Sequence, residues 1–327
     1  MPCATPVRAR CSAAVTELRP LRLPEDLEPL WRIAFEAEQA VHPDLVTTHE
    51  EVRTLLEGPG VDMREGVRVA VDDRGEVVGF VATEVDPPGR EVRVDAYARP
   101  GSPTDLLALL LEHGVRYARG VAVARSAEPG WVCLGGAYVD DAAYVAALGA
   151  AGLAPVRRFH RMHLDLRTAR PQAPVLPEGT TITVVGPDEA AQRELHEVLE
   201  EAFEGHWRHV RHPWPEWIAW VSNRGYDPTQ WWLARVDGVP AGALLGDDTL
   251  AESDTAYVSM LGVLAPYRGR GLARALLLTA FEEARRRGRI ALRLGVDTEN
   301  GTGAPALYAS VGMSAAQTVE AYELPLP

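Results

Sequence analysis

The chain has 327 residues, which is long for one open α/β sheet and enough for two domains that each bury a core. Its 33 Lys and Arg against 46 Asp and Glu give a formal net charge of −13, which disfavours nucleic acid and anionic membranes as partners. Cys3, Cys11 and Cys133 are an odd number whose spacing fits neither a disulfide framework nor a metal motif. With no apolar run that could span a membrane and no secretion signal, we expect a cytoplasmic protein.

Proline-rich sequence divides the chain into two parts. Residues 168–179 hold three prolines and little apolar periodicity, as expected for a linker. We therefore predict a first domain over 16–167 and a second over 180–327, preceded by a disordered N-terminus over 1–15.

The two halves repeat one order of features. Each has a strand, a helix opened by Pro and acidic residues, a hairpin, a strand with a turn, a helix, and a final helix that ends at Gly. Gly79 and Gly242 are 163 residues apart, and Gly152 and Gly312 are 160 apart. These near-equal offsets indicate an internal duplication.

The first half has an unfavourable turn for binding an anion. After the strand predicted at 91–98, Pro100 and Pro103 lack the amide donors that a phosphate needs. Asp105 brings a negative charge there as a predicted helix N-cap. Tyr144, near the end of this half, is most simply a packed aromatic residue. We therefore expect this half to have lost any reaction that depends on binding an anion at this turn.

The second half has a favourable turn at the same place. A strand predicted at 256–263 leads into a helix through the pattern Arg-x-x-Gly-x-Ala at Arg268, Gly271 and Ala273, which is neither a P-loop nor G-x-G-x-x-G. The first N–H groups of a helix lack intrahelical partners and carry partial positive charge. The turn therefore predicts a phosphate-binding site at the start of the helix.

Further motifs follow this turn: a strand at 290–296, then Asn300, then a short helix that carries Leu307 and Tyr308 and ends at Gly312. The order Val-x-x-Pro, Arg-x-x-Gly-x-Ala, Asn, Leu-Tyr, Gly resembles the GNAT acetyltransferases. The resemblance implies an α/β fold of two tandem GNAT domains, each a mixed, largely antiparallel sheet flanked by helices with a splayed acyl-CoA cleft. The motifs cover the second half, while the architecture, which is similar to that of mycothiol synthase-type proteins, covers the whole chain.

The resemblance also implies a cosubstrate, acetyl-CoA or another acyl-CoA, in the second half. The first half is degenerate, although it could still hold an acyl-CoA. The cofactor-binding residues of the second half would be Leu261, Val263, Arg268, Gly269, Arg270, Gly271, Leu272, Ala273, Asn300 and Tyr308.

Three residues are assigned catalytic roles, two on the same resemblance and the third on its place in the segment that would roof the acceptor site. Tyr308 would give a proton to the departing thiolate, with core packing beside Leu307 as the alternative, and the Leu261 amide would bind the oxyanion. The strand itself offers no carboxylate, so we take Glu204 as the general base, with Asp254 and His206 as alternatives.

Histidine and tryptophan crowd the segment 201–217. Histidines at every third position suggest a metal site, but glycine and proline interrupt the helix that such spacing needs and no Cys or carboxylate shell accompanies them, so we predict no metal. We predict instead a lid over the acceptor pocket, with core packing of the tryptophans as the alternative. The residues of the pocket would be His206, Trp207, Trp214 and Trp217.

Together these features predict an acyl-CoA-dependent N-acetyltransferase that acts on the amine of a small polar metabolite by direct transfer in a ternary complex, with specialised (antibiotic) metabolism as the expected setting. The alternatives are a non-catalytic acyl-CoA-binding or sensing protein and a mycothiol synthase. The predicted partners are the amine and acyl-CoA, without nucleic acid or membrane, for a monomer or homodimer.

Overall fold

The computed structural model describes residues 15–327 apart from eight positions: Thr104, Ser126, Ala127, Pro171, Arg224, Gly225, Asn300 and Thr302. Asn300, the first two cysteines and the predicted N-terminus up to residue 14 therefore lie outside the described residues.

The elements of the first half follow the predicted order. They are β1 (Val15–Pro20), α1 (Leu27–Val41), α2 (His49–Glu57), β2 (Val67–Asp72), β3 (Val77–Asp86), β4 (Glu91–Ala98), α3 (Leu106–Ala124), β5 (Val132–Tyr138), α4 (Ala142–Ala150) and β6 (Ala154–Asp165).

The second half repeats this order. Its elements are β7 (Thr180–Val184), α5 (Glu189–Ala202), α6 (Trp214–Asn223), β8 (Trp231–Val236), β9 (Val239–Asp247), β10 (Thr255–Val263), α7 (Leu272–Arg286), β11 (Ala291–Asp297), α8 (Ala304–Ser310) and β12 (Ser314–Pro325). The matched glycines Gly152 and Gly312 both follow the last helix of their half and have φ of 91° and 92°, which only glycine adopts readily.

Within the described residues the strands form one mixed sheet in the order β1-β2-β3-β4-β5-β12-β6-β11-β10-β9-β8-β7. Neighbours are antiparallel except for the pairs β4·β5 and β10·β11, which are parallel. The final strands of the halves are exchanged, because β6 pairs with β11 and β12 pairs with β5. The boundary of the predicted domains thus runs through a continuous hydrogen-bonded sheet.

The two halves run in opposite directions across this sheet. Tyr138 at the end of β5 and Asp297 at the end of β11 belong to one cross-strand row, joined through Val319 and Phe159. In each half the parallel strand pair separates towards its C-terminal end. This open end therefore faces the part of the other half where the parallel strands are still paired.

Helices cover both faces of the sheet. The helix α7 buries Leu276, Leu277 and Phe281 against β8 to β11, as its apolar stripe predicts. The helices α3 and α4 form the matching layer of the first half, and α1, α2, α5 and α6 cover the other face. This packing fixes the N-terminus of α7 at the opened edge of the β10·β11 pair.

No helix in the described part of the chain combines the length and the apolar character needed to cross a bilayer.

Candidate active site

The strands β10 and β11 separate in the middle of the second half. They pair from Thr255 opposite Ala291 to Val258 opposite Leu294, and then diverge. The amide of Leu264 donates to the Ala241 carbonyl of β9 at 2.9 Å. Successive amides of a strand point to opposite sides. The amides of Val263 and Leu261, which lie one and three positions before Leu264, therefore point away from β9 and into the gap.

The glycine-rich loop lies at the edge of this gap. Gly269 and Gly271 have φ of 75° and 90°, and a Cβ on either would meet no atom within 4 Å, so their outer face is open. Gly271 is the N-cap of α7, and no side chain of the described residues hydrogen-bonds to the first turn of this helix. The first N–H groups of α7 are thus directed at an open surface, as an anion-binding site requires.

Two arginines of the loop are held by protein contacts. The Arg268 guanidinium donates to the carbonyl oxygens of Val263 at 2.9 Å and Ala202 at 3.1 Å, which ties the strand end to the end of α5. The Arg270 guanidinium lies 5.5 Å from the centre of the Tyr267 ring. Arg268 therefore adds positive charge at the rim of the loop and braces the loop as well.

A cavity of about 640 Å³ joins this loop, the gap and the space between the two halves. Arg270 does not line it, and Asn300 lies outside the described residues. The other predicted cofactor-binding residues all line it: Leu261, Val263, Arg268, Gly269, Gly271, Leu272, Ala273 and Tyr308.

Tyr308 of α8 lines the cavity with most of its side chain buried, at 7% exposure. Within the described part of the chain no residue hydrogen-bonds to its hydroxyl. Burial raises its pKa to about 12, so the phenol keeps its proton at neutral pH. The side chain also packs in the core beside Leu307. Its position is compatible with both the catalytic and the packing interpretation.

The aromatic residues of the predicted lid separate into two groups. His206 and Trp207 line the cavity. Trp214 and Trp217 do not; they stack on each other with ring centres 5.5 Å apart, and Trp217 is only 3% exposed in the core beneath α5. The core-packing alternative thus describes Trp214 and Trp217.

The three regularly spaced histidines do not converge. His206 lies against the Phe203 ring, His209 Nε2 lies 3.3 Å from the Glu200 carboxylate, and His212 turns towards the first half. In the part of the chain that the structure describes, no group of three or more His, Cys, Asp or Glu side chains is arranged to hold a metal ion.

The structure does not bring Glu204 to the cavity. Its side chain is 68% exposed, and its carboxylate lies 4.0 Å from Arg211 on the outer surface. Asp254 does not line the cavity either. His206 does, and its pKa is lowered by burial and by the nearby Arg268 charge, so its imidazole is neutral at pH 7.

A pair that the sequence reading missed lies at the mouth of the gap. The strand β10 bulges between Val258 and Met260, and the Ser259 hydroxyl at this bulge donates a hydrogen bond to Asp247. Asp247 is 3% exposed, and its other oxygen accepts the Thr249 amide at 3.0 Å. Ser259 is the one protic side chain on the diverging segment 259–263, and it connects the cavity to a buried carboxylate.

Charged residues of the first half form the far end of the cavity, and sequence reasoning missed these too. Arg208 of the lid donates to Glu91 at 3.0 Å and to Glu323 at 3.1 Å. His212 Nε2 lies 3.2 Å from Asp86, and this contact raises the pKa of His212. This end of the cavity is thus formed by ion pairs between carboxylates and cations of both halves.

The corresponding gap of the first half is closed. The strands β4 and β5 pair only up to Arg93 opposite Leu134. The amide of Ala96, which occupies the position of Leu261 in the repeat, donates to the Tyr144 hydroxyl at 3.0 Å. A side chain of the protein therefore fills the place that stays open in the second half.

Comparisons with known proteins agree with this architecture. The model of the acetyltransferase (GNAT) family matches residues 193–313. A mycothiol acetyltransferase of Thermobispora bispora is 30% identical over 258 residues, which cover 74% of this chain and 78% of the relative. A mycothiol acetyltransferase of Beutenbergia cavernae is 28% identical over 286 residues, 84% of this chain and 89% of that relative.

Solved structures share the fold along nearly the whole chain. A GCN5-related N-acetyltransferase of Sphaerobacter thermophilus has a TM-score of 0.79 at 26% identity and covers 94% of this chain and 95% of its own. A tandem GNAT protein from the clavulanic acid biosynthesis pathway has a TM-score of 0.69 at 18% identity over 94% of this chain and 98% of its own. The second likeness concerns the fold alone.

Proposed function

The chain belongs to the GNAT family of acetyltransferases, and on this premise we propose that it transfers an acyl group from acyl-CoA to the amine of a small polar metabolite. The observation that carries the proposal is the continuous cavity of about 640 Å³, which runs from the open glycine loop through the β10·β11 gap to the ion-paired end between the halves. It offers one path on which an anionic cosubstrate and the acceptor can meet.

The cosubstrate fits the residues of the second half. Its diphosphate would bind the free N–H groups at the start of α7, with Arg268 adding charge at the rim. Its pantetheine arm would pair with the amide of Val263 and its thioester carbonyl with the amide of Leu261, which together complete a strand edge that is otherwise open. Acetyl-CoA is the acyl-CoA that we expect, as a prediction from the family.

The acceptor would enter at the ion-paired end. Glu91 is already engaged by two arginines, so Asp86, which is 25% exposed beside His212, is the carboxylate that would bind an ammonium ion there. The ion pairs of Arg208 with Glu91 and Glu323 tie the lid to the first half. This closure favours a small molecule over a polypeptide. An origin of the acceptor in specialised (antibiotic) metabolism stays a prediction.

Transfer needs the amine to lose a proton before it attacks. We assign this step to Ser259, which would accept a proton from the ammonium while it passes its own to the buried Asp247. The neutral amine then attacks the thioester carbon. The pair is placed at the bulge where the gap opens, which is where the acyl end of the cosubstrate would lie.

The remaining steps use two further groups. As the carbon becomes tetrahedral, its oxygen gains negative charge, which the Leu261 amide would stabilise. The C–S bond then breaks, the carbonyl re-forms, and the departing thiolate takes the proton of the Tyr308 hydroxyl. The assignment is supported by the phenol being protonated and having no hydrogen-bonding partner among the described residues. The second amine proton passes to the Tyr308 phenolate, and Asp247 releases the proton that it took to solvent by way of Ser259. The products are an N-acyl amine, free CoA and one proton, and the site returns to its starting state.

The test is turnover of acetyl-CoA with a panel of polar amines, followed by release of CoA thiol and by the mass of the acylated product. We expect one amine to be acylated, and Asp86→Asn to raise its KM with little effect on acyl-CoA binding. An Asp140→Asn variant, changed at an exposed carboxylate away from the cavity, is the matched control. Acyl-CoA binding without turnover on any amine would contradict the enzyme and favour an acyl-CoA sensor.

A second candidate is the activity for which the relatives are named. Identities of 30% and 28% over most of both chains favour the acceptor of the mycothiol acetyltransferases. The same assay separates the two candidates, because that acceptor can be compared directly with the other amines of the panel by kcat/KM.

A further inference from the structure

A second cavity, of about 200 Å³, lies on the side of the sheet that α1 and α2 cover. It is built by both halves: β4, β5 and the α1–α2 segment of the first half meet β10 and β11 of the second, with β6 between them. The two halves run in opposite directions, so this cavity has the same position relative to the first half as the larger cavity has relative to the second. It is therefore the place that corresponds to the proposed acceptor site.

Two guanidinium groups of this second cavity have no hydrogen-bonding partner among the described residues. They belong to Arg161 of β6 and Arg293 of β11, which both line the cavity. The Nε atom of Arg293 is fully buried and has no hydrogen-bonding partner in the part of the chain that the structure describes. An unpaired buried donor is costly, so a ligand that accepts from it would be favoured.

The nearby carboxylates do not satisfy these arginines directly. Glu51 accepts the Thr48 amide at 2.8 Å in a helix capping box, and Glu38 accepts the Thr47 hydroxyl at 2.8 Å. Both are therefore engaged by their own segment. The two guanidinium groups together present several donors in fixed directions, which suits a carboxylate.

An unpaired acid lies across the same cavity. Asp95 of β4 lines it, and no residue in the described part of the chain donates a hydrogen bond to its carboxylate. Burial raises the pKa of Asp95 to about 6, so a cation beside it would restore its charged form. The phenols of Tyr97, Tyr138 and Tyr257 line the cavity as well.

This cavity cannot take part in acyl transfer as the larger one does. The amide of Ala96, which would hold the pantetheine arm, is occupied by the Tyr144 hydroxyl. The adjacent turn contains Pro100 and Pro103 in place of amide donors. The ligand of the second cavity is therefore a molecule other than acyl-CoA, and it is bound rather than acylated.

We propose that the second cavity is a non-catalytic binding site for a compact zwitterion, a free α-amino acid or a close analogue, whose carboxylate binds Arg161 and Arg293 and whose ammonium binds Asp95. The volume is below that of the usual drug-sized pocket and suits a molecule of this size. The site joins strands of both halves, so its occupant would hold the two halves together at their seam.

Calorimetry on the whole, CoA-free chain tests the proposal. The probes are glycine, L-alanine, L-serine and L-aspartate, with acetate and ethylamine as probes that carry only one of the two charges. We expect at least one amino acid to bind once per chain and more tightly than either single-charge probe. Loss of two charge-assisted hydrogen bonds should weaken this binding about tenfold or more in Arg293→Met and in Asp95→Asn.

Two controls keep the outcome interpretable. Arg158→Met changes an exposed arginine of the same strand β6, paired with Glu320 on the surface, and should leave binding unchanged. Asp86→Asn reports on binding in the larger cavity instead. The proposal would be overturned if none of the four amino acids bound at about 10 mM, a concentration at which binding with a Kd weaker than about 1 mM is still detected. Binding that responds to Asp86→Asn and not to Arg293→Met or Asp95→Asn would overturn it as well. Acyl transfer is not measured, so the result is independent of the proposed reaction.

Discussion

The amide of Ala96 donates a hydrogen bond to the hydroxyl of Tyr144 at 3.0 Å, whereas the amide of Leu261, its counterpart in the repeat, points into an open gap. The same duplicated strand pair therefore has two outcomes in one chain. A tyrosine fills the first gap, and a cosubstrate can fill the second. This difference accounts for a fold with two halves and one predicted reaction site.

Replacement of Tyr308 by Phe removes one hydroxyl from the cavity and leaves the packing of the ring in place. We expect kcat to fall by about 10²-fold or more, because the leaving thiolate loses its proton donor. Acyl-CoA affinity should change less than twofold, since the amides and the loop are untouched. Steady-state kinetics and calorimetry check the two quantities separately.

The matched control is Tyr322→Phe, which removes the hydroxyl of another buried tyrosine; this hydroxyl donates to Glu320 at 3.1 Å and lies away from the cavity. Equal losses of kcat in the two variants would assign Tyr308 to packing alone.

Replacement of Asp247 by Asn should remove the final proton acceptor behind Ser259. We expect kcat/KM to fall by about 10²-fold near neutral pH, and the loss to shrink at high pH, where the free amine deprotonates in solution. Ser259→Ala should behave in the same way. The pH dependence of kcat/KM in wild type and variants provides the measurement.

Asp248→Asn is the control for this prediction, because Asp248 is the next residue and pairs with Arg289 outside the cavity. A loss in Asp247→Asn that stays constant with pH would indicate a structural role for this carboxylate.

Asp95 gives the protein a pH-dependent stability. Its folded-state pKa, about 6, lies above the usual value of 3.8, so the folded chain holds this proton where the unfolded chain has released it. The contribution of Asp95 to the free energy of unfolding is therefore greatest below about pH 4 and declines as pH rises to 6. Relative to wild type, Asp95→Asn should gain about 1–2 kcal/mol between pH 4 and pH 7.

Chemical denaturation of ligand-free protein at the two pH values measures this gain. Asp165→Asn is the control, because the pKa shift of Asp165 has the opposite sign: the Arg167 side chain lowers this pKa to about 2. The contribution of Asp165 to the free energy of unfolding is therefore lost only in stronger acid. A difference between Asp95→Asn and wild type that is the same at both pH values would contradict the prediction.

The glycine loop could be predicted from sequence because its chemistry is local. The pattern at Arg268, Gly271 and Ala273 lies within six residues, and the helix that follows has a clear apolar stripe. The positive φ of Gly271 and the uncapped start of α7 agree with the predicted loop. The closed gap of the first half could be predicted only in part, from the prolines of its turn. The hydrogen bond that fills the gap could not, because Ala96 and Tyr144 are 48 positions apart in the sequence.

The acceptor end could not be predicted in this way. Asp86 and Glu91 reach the second half because β6 and β12 are exchanged, and this exchange leaves no local pattern in the sequence. Glu204 is predicted as the base from its place in the lid segment alone. The helix α5 ends at Ala202, so Glu204 does not continue the helical face on which Glu200 is buried. Tryptophan spacing likewise does not distinguish a pocket wall from a core, which is where Trp217 lies.

Native mass spectrometry of the chain with acetyl-CoA tests the central claim most directly. Gly271 and Gly101 occupy matching turns, with φ of 90° and 85° and open space where a Cβ would lie, so Gly271→Asp and Gly101→Asp impose the same backbone strain. We predict one bound acetyl-CoA per chain in wild type and in Gly101→Asp, and none in Gly271→Asp. Two bound molecules in wild type, or loss of binding in Gly101→Asp with retention in Gly271→Asp, would contradict a cosubstrate site confined to the second half.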